Sequence, residues 1–510
     1  MLRAHKFGFS AAAALLLMAP AIASGQTQAV NAKWLTVVLP AEPEALEACN
    51  ATRSLEGFVN KQTVVETLID KDYRTGALKP RIAVSWERVN PTTWNFKLRQ
   101  GVTFHDGAKL DAKAVAYSMD RTLNSPIHCE LRGKFFGGLK LQVSALNDDT
   151  VQVVTDKPEP ILDARMTGMT IYSPNTPFDK SMLTAVGTGP YAMESWQAGQ
   201  EIRLKRFDKY WGAQPQAEGV RYVWRAESAV RAAMVKIGEA DIAPFVTKDD
   251  AKDPDFARTY LSWEVTYLRL DTGKAPLNDR RVRLALNYAF DRESVRGSIL
   301  SKDVVHATQM VVPGLAGHND ALDKMIRPYD PAKAKALIAE AKADGVPVDT
   351  EIVLYGAPHR FSGANEVMEA FLTMYKAIGL NVKLTNLEPG QYNKAVNKPF
   401  AEDRPPTALL NLHDNTLDPV ISVTPKYTCA GTTSMVCDKT VDDTIAKVTA
   451  MTGEERVKGW QELFRMMYED VASDVWMYYM VGYANVGKRV NYANYSITNN
   501  EVRVADFTFK

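Results

Sequence analysis

Apolar and polar residues alternate along residues 93–99: Trp94, Phe96 and Leu98 against Asn95, Lys97 and Arg99. A period of two is that of a strand with one buried face. Gln100-Gly101 turns the chain, and Val102-Thr103-Phe104 predicts a second strand ending at Asp106-Gly107, so a hairpin is expected here. Leu35-Thr36-Val37-Val38-Leu39 and Thr150-Val151-Gln152-Val153-Val154 read as further strands, with a helix between them near Ala112 to Leu123. Helical spacing dominates later. Asp330-Pro331 supplies an N-cap and a first-turn proline; Ala334, Leu337, Ile338 and Ala341 share one face, and Gly345 ends the helix. Val367, Phe371, Met374, Tyr375 and Ile378 mark a second helix that stops at Gly379, followed by a strand through Leu380, Val382 and Leu384. A third runs from about Asp279 to Phe290. Helices and strands in alternation predict α/β lobes, and residues from about 73 to 160 form a small mixed subdomain within a larger lobe.

The amino-terminal segment has a different pattern. Arg3 and Lys6 precede an apolar run from Phe7 to Ala19, and Ala21-Ile22-Ala23 fits a small-x-small cleavage site. Residues 1–23 are expected to be a signal peptide, the competing reading being a buried helix, with Ser24 as the mature start. No later stretch reaches 18 consecutive apolar residues. The first cysteine is Cys49, so no lipid anchor is expected after the apolar run. Cleavage would leave 487 of 510 residues, enough for two or three lobes. It would also leave 59 basic against 60 acidic residues, a net charge of −1 that speaks against nucleic-acid binding.

Four cysteines in an exported chain permit disulfides. Cys429 and Cys437 close a short loop containing Gly431 and are the favoured pair; Cys49 with Cys129 follows by elimination. A zinc site is the alternative, but there is no C-x-x-C and no histidine at ligand spacing, so no metal or cofactor is expected. The hydrolase motifs G-x-S-x-G, H-E-x-x-H and S-x-x-K do not occur in a plausible context, so the chain is not expected to be an enzyme. Gly187-Thr188-Gly189 reads as turn geometry rather than a phosphate loop, because no Lys-Ser/Thr follows. Trp86, Trp94 and Trp211 read as core anchors.

Seven segments in order resemble the family 5 extracellular solute-binding proteins of ABC importers, which include dipeptide, oligopeptide and nickel binders. They are Val65-Glu66-Thr67-Leu68, Pro80-Arg81-Ile82-Ala83-Val84-Ser85-Trp86-Glu87, the Trp94–Gly107 segment, Gly187-Thr188-Gly189-Pro190-Tyr191, Phe207-Asp208-Lys209-Tyr210-Trp211-Gly212, Asn278–Arg283 with Ala289–Glu293, and Tyr329-Asp330-Pro331 with Ala334-Lys335. The resemblance implies a bilobal α/β periplasmic-binding-protein fold, large and class II-like, with an extra mixed subdomain and two hinge crossings. Lobe I would comprise residues 24–266 and 480–510, with the subdomain at about 73–185; lobe II would be 267–479, including crossings near Tyr267–Leu270 and Val475–Tyr479. It further implies a soluble periplasmic monomer that encloses a small solute and delivers it to the transmembrane subunits of an ABC permease.

The resemblance also nominates ligand contacts. Asn411-Leu412-His413-Asp414-Asn415-Thr416-Leu417-Asp418-Pro419 is similar to the D-N-x-x-D-P loop of dipeptide binders, whose first aspartate pairs with the ligand ammonium; that position is Asp414. Asp418 and His413 are neighbouring candidates, and an Asx-turn or helix cap is the competing role for the aspartates. Arg360 lies in a segment like R-P-Y-N-P, whose arginine grips the peptide carboxylate, although Phe361-Ser362-Gly363 replaces the continuation. Trp476, Tyr478, Tyr392 and Tyr427 are candidate stacking platforms near the hinge and cleft. A peptide, opine-like or other amino-acid-derived solute leads; an oligosaccharide or a metal chelate is the alternative.

Overall fold

The computed structural model describes residues 33–49, 55–72, 76–137, 139–415, 418–492, 497 and 501–510. The expected signal peptide and Ser24 lie outside the described residues. Among the described residues the largest sheet has eleven strands. Across it run Tyr191–Gln197, Glu201–Arg206, Gly219–Trp224, Trp34–Leu39, Ile242–Val246, Asp474–Val486, Ala257–Leu270, Thr407–Asp414, Ile352–Gly356 and Val382–Asn386, with Val305–His306 paired onto Asp474–Val486.

The helical spacing of the sequence builds the far end of this sheet. Helix Pro331–Ala343 starts at Asp330, whose carboxylate accepts from Lys333 N, and the chain leaves it through Gly345 at φ +83°. Helix Ala364–Ala377 joins the parallel strands Ile352–Gly356 and Val382–Asn386, with Val367, Phe371 and Tyr375 buried beneath it. Such crossovers need a helix, which is why strand, helix and strand follow in turn.

A second sheet orders Ala83–Asn90, Thr93–Leu98, Thr150–Thr155 and Leu141–Ala145, packed on helix Ala112–Asn124. Trp94, Phe96 and Leu98 point into its core while Lys97 is exposed, as the alternation predicts. The expected hairpin pairing does not form. Thr93–Leu98 pairs with the preceding Ala83–Asn90 and with Thr150–Thr155, so both its edges are occupied. Residues 102–104 make only the bridge Thr103↔Lys109, because Phe104 N donates to Ala108 O and Gly107, at φ +87°, folds the chain back at once.

Several of the family-like segments meet at one buried carboxylate. Glu66 accepts from Trp211 Nε1 (2.7 Å), Thr188 Oγ1 (2.8 Å) and Tyr210 OH (3.1 Å), and pairs with Arg81 (2.6 Å). A buried charge needs such saturation. Gly187 and Gly189 are required by close approach: a Cβ on either would stand 2.3 Å from the carbonyl oxygen of Val64 or Thr63. Cys49 is joined to Cys129, and Cys429 to Cys437.

Ala257–Leu270 and Asp474–Val486 run antiparallel through the middle of the large sheet. Tyr260, Ala484 and Val486 pack into the core around Leu35, Val37 and Tyr222. Leu268, Leu270, Val475 and Met477 pack instead with Leu286, Phe371 and Leu410. Between these cores the register shifts from Leu261↔Val481 to Val265↔Tyr479, and Trp263 sits in the bulge at φ +66°.

Candidate ligand-binding site

Strands Ile352–Gly356, Val382–Asn386 and Thr407–Asp414 are parallel, so their carboxyl ends fall on one edge of the sheet. In open α/β sheets that edge is where ligands bind. Asp414 ends the third strand, and Arg360 lies in the loop after the first. Arg360 Nη2 donates to Leu412 O, tying the loop to the strand that carries Asp414. The Arg360 guanidinium lies 5.4 Å from the ring of Tyr392, whose hydroxyl donates to Leu410 O (3.1 Å).

Asp414 pairs in register with Glu264 of the central strand. Directly opposed residues share a face, so the two carboxylates stand side by side. Burial pushes Glu264 up to about 7, and the charge of Asp414 adds to the shift. The bulge next to Glu264 is pinned by Trp263 O, which accepts from Asn415 N (2.9 Å) and Asn415 Nδ2 (3.2 Å). Over the Trp263 ring, 4.2 Å from its centre, lies the ammonium of Lys71. Lys71 ends strand Ile69–Lys71, beside the bidentate Asp70–Arg503 pair. Burial and then Lys61 push Lys71 down to about 7, while Glu501 and Asp414 oppose them. Carboxylates, a guanidinium, an ammonium and an indole therefore converge at the strand edge, in surroundings dry enough to move their protonation.

Not every nominated residue belongs here. Arg456 grips both oxygens of Asp418 at 2.7 Å, and Val420 N donates to Asp418 Oδ1 (3.0 Å). Asp418 is thus an anchor at the start of helix Val420–Tyr427. Trp476 is 2% exposed and packs on Tyr267 with ring centres 4.6 Å apart. Tyr427 is 1% exposed and donates to Asp474 Oδ2 (3.0 Å). Tyr478 is buried and donates to Arg292 O (2.6 Å). These three rings are core residues rather than platforms. His413 alternates with Asp414 along the strand, so it lies on the opposite face, buried on the side that Tyr267 shares. Glu264, Trp263 and Lys71 were not anticipated. A lone acid within the apolar strand Ser262-Trp263-Glu264-Val265 was a legible signal; the left-handed turn at Trp263 was not.

Among the described residues, no group of three or more His, Cys, Asp or Glu is placed to hold a metal. No described helix is long and apolar enough to cross a membrane.

Two α/β cores share one sheet, and charged side chains gather at its carboxyl edge, an arrangement suited to holding a small solute. Residues 77–434 match the bacterial extracellular solute-binding proteins, family 5 Middle, and the chain belongs to that family. It is 29% identical over 398 residues to the dipeptide-binding protein of Escherichia coli, across 72% of this chain and 74% of that one. A glutathione-binding protein from Salmonella paratyphi A is 29% identical over 317 residues, spanning 59% of each chain. HbpA2 from Haemophilus parasuis shares the fold with a TM-score of 0.81 at 22% identity, covering 94% of this chain and 100% of that one. The protein is the substrate-binding component of a family 5 ABC importer.

Proposed function

We propose that the protein encloses a small zwitterionic, amino-acid-derived solute such as a peptide or opine-like compound, and hands it to the transmembrane subunits of its permease. One observation carries this reading: Asp414 and Arg360 converge on one strand edge, joined through Leu412 O. A carboxylate offsets the desolvation of a ligand ammonium, and a guanidinium fork suits a carboxylate. Dipeptides and glutathione, named for two relatives, both carry these groups.

Enclosure would come from closure of residues 24–266 and 480–510 on residues 267–479. The separate cores on either side of the Leu261–Val265 register shift support a pivot there. The working form is then a periplasmic monomer, released by cleavage after Ala23. An oligosaccharide is less well served, since Trp476, Tyr427 and Tyr478 are buried in the core.

Thermal denaturation against a panel of peptides, opines and sugars tests the proposal. A zwitterion should raise Tm, because a ligand bound only to the folded state stabilises it. Asp414→Asn and Arg360→Ala should each abolish that rise. Undiminished affinity in both variants would refute the site.

A further inference from the structure

We propose that the strand edge carries a second acid-binding pocket, on the face of the sheet away from Asp414. In it Lys426, His413 and Arg269, next to Arg360, receive a further carboxylate of the solute. The proposal rests on the zwitterion reading and narrows it: the cargo is an amino-acid derivative with one ammonium and at least two acidic groups.

The pleat places these residues together. His413, Asn411 and Leu409 lie opposite Val265, Tyr267 and Arg269, on one face of the two strands. Helix Val420–Tyr427 brings Lys426 beside Arg269: Thr433, whose carbonyl accepts from Arg269 Nη2, donates its Oγ1 to the carbonyl oxygen of Pro425 (3.0 Å), the residue before Lys426, and burial followed by Arg269 and Arg360 depresses Lys426 to about 8. His413 is pushed well below its ordinary value, first by burial and then by Lys426, Arg269 and Arg360. Three cations and a neutral imidazole therefore sit within electrostatic reach of one another.

Their counter-charges are too few: among the described residues, Asp474, in register with Arg269, is the one acid beside three cations. Among the described residues, no carboxylate lies within ion-pair distance of Lys426, Arg269 or Arg360. The acid beside Arg269 is Asp474, which already accepts from Tyr427 OH (3.0 Å) and Ser473 Oγ (2.5 Å) and is raised to about 6 by burial. Glu264, felt by Arg360, stands on the other face with Asp414. Four polar atoms in this one region are buried without a partner: His413 Nε2, Arg269 Nη1, Arg360 Nε and Tyr267 OH. His413 is 8% exposed, Arg269 2% and Tyr267 0%.

A purely structural role fits poorly. Buried arginines are often satisfied by backbone carbonyls, and this chain does so elsewhere: Arg292 Nε and Nη2 both donate to Trp476 O, and Arg283 donates to Val471 O and Leu277 O. Among the described residues, Arg269 reaches only Thr433 O by hydrogen bonding, Arg360 only Leu412 O, and Lys426 has no side-chain hydrogen bond. Desolvating cations without enough anions is unfavourable, and a bound anion would offset that cost. A carboxylate supplies two acceptor oxygens and a further negative charge at once.

Isothermal titration and thermal denaturation of the full mature chain provide the test. Alanylglutamate should bind at least about ten-fold more tightly than alanylglutamine, the ratio that one charge-assisted contact provides. Lys426→Met should erase that preference, leave alanylglutamine affinity within about two-fold, and raise the Tm of the ligand-free protein, since an unpaired buried charge is removed. Lys426→Gln serves the same purpose if the methionine variant misfolds. Glutarate, which has no ammonium, should stabilise the wild type and not the variant. Equal affinity for the two peptides, or a preference that survives in the variants, would overturn the pocket. If neither peptide binds while the Lys426-dependent glutarate response persists, the zwitterion reading fails and the acid pocket stands. If glutarate is also without effect, the pocket falls too.

Discussion

Glu264 and Asp414 stand directly opposite one another on neighbouring antiparallel strands, and burial together with this neighbour raises Glu264 from 4.5 to about 7. Between those values the folded chain keeps a proton that the unfolded chain has released, so this group erodes stability as pH rises through that window. Glu264→Gln removes the penalty. Its unfolding free energy should exceed that of the wild type at about pH 8 by on the order of 3 kcal/mol, with a correspondingly higher Tm, and converge with it below about pH 4.5. Melting curves across this range check the prediction; a pH-independent difference would refute it.

The same pair couples ligand binding to protons. A solute ammonium at Asp414 favours the ionised form of Glu264, whose value near 7 leaves it part-protonated at neutral pH. Binding of a zwitterion should release protons at about pH 6–7, a fraction of one per ligand, and affinity should rise with pH across that interval. Titration calorimetry in two buffers of different ionisation enthalpy measures the release, which should vanish in Glu264→Gln.

Trp476 separates packing from recognition. It is 2% exposed and belongs to the core with Tyr267, Tyr427 and Phe464. Trp476→Ala should cost about 3–5 kcal/mol, the usual loss for a large buried ring. Trp476→Phe should lower Tm by less and leave solute affinity unchanged, provided binding is measured well below Tm. A drop in affinity with unchanged Tm would return Trp476 to the cleft.

Local elements were legible in the sequence because their signals are local. Asp330-Pro331 and Gly345 bound one helix, and the Trp94-Phe96-Leu98 alternation faces a core. The family-like segments were legible for a different reason: Glu66, Arg81, Thr188, Tyr210 and Trp211 satisfy one buried carboxylate, so their residue types are tightly constrained. They describe a scaffold and not a ligand. The pairing partner of Thr93–Leu98 was not legible, because a strand with one apolar face does not reveal which neighbour lies alongside it. Nor was the burial of Trp476 and Tyr427: their strand and helix are apolar on the side where a sheet edge could equally have exposed them. Asp418 illustrates the ambiguity of motif transfer, since the same D-P pair that suggests a binding loop also begins a helix, and here Arg456 occupies it.

His318 carries a further pH dependence, remote from the strand edge. Its Nδ1 lies 2.7 Å from Val311 O and its Nε2 2.8 Å from Asp323 Oδ2. Both partners are acceptors, so both ring nitrogens donate and the ring is an imidazolium. Burial opposes that charge, but the bonds to Asp323 and Val311 O outweigh it and hold His318 above its ordinary 6.5. Asp323 in turn accepts from Thr308 Oγ1 (2.5 Å) and Tyr479 OH (3.3 Å), which ties this loop to the central strand Asp474–Val486. Because the folded value is raised, the stabilisation is complete below the unfolded value and disappears as pH rises through the folded one. His318→Gln should therefore lose about 2 kcal/mol at pH 6 or below. The gap to the wild type should narrow steadily above neutrality as the wild-type ring loses its proton. Asp323, held below its ordinary value chiefly by the bonds from His318 and Thr308 against the cost of burial, keeps its share until the pH falls through that depressed value. Calorimetric melts of both proteins from about pH 5 to 9 cover the window of the histidine. A constant gap would mean that shape rather than charge holds the loop.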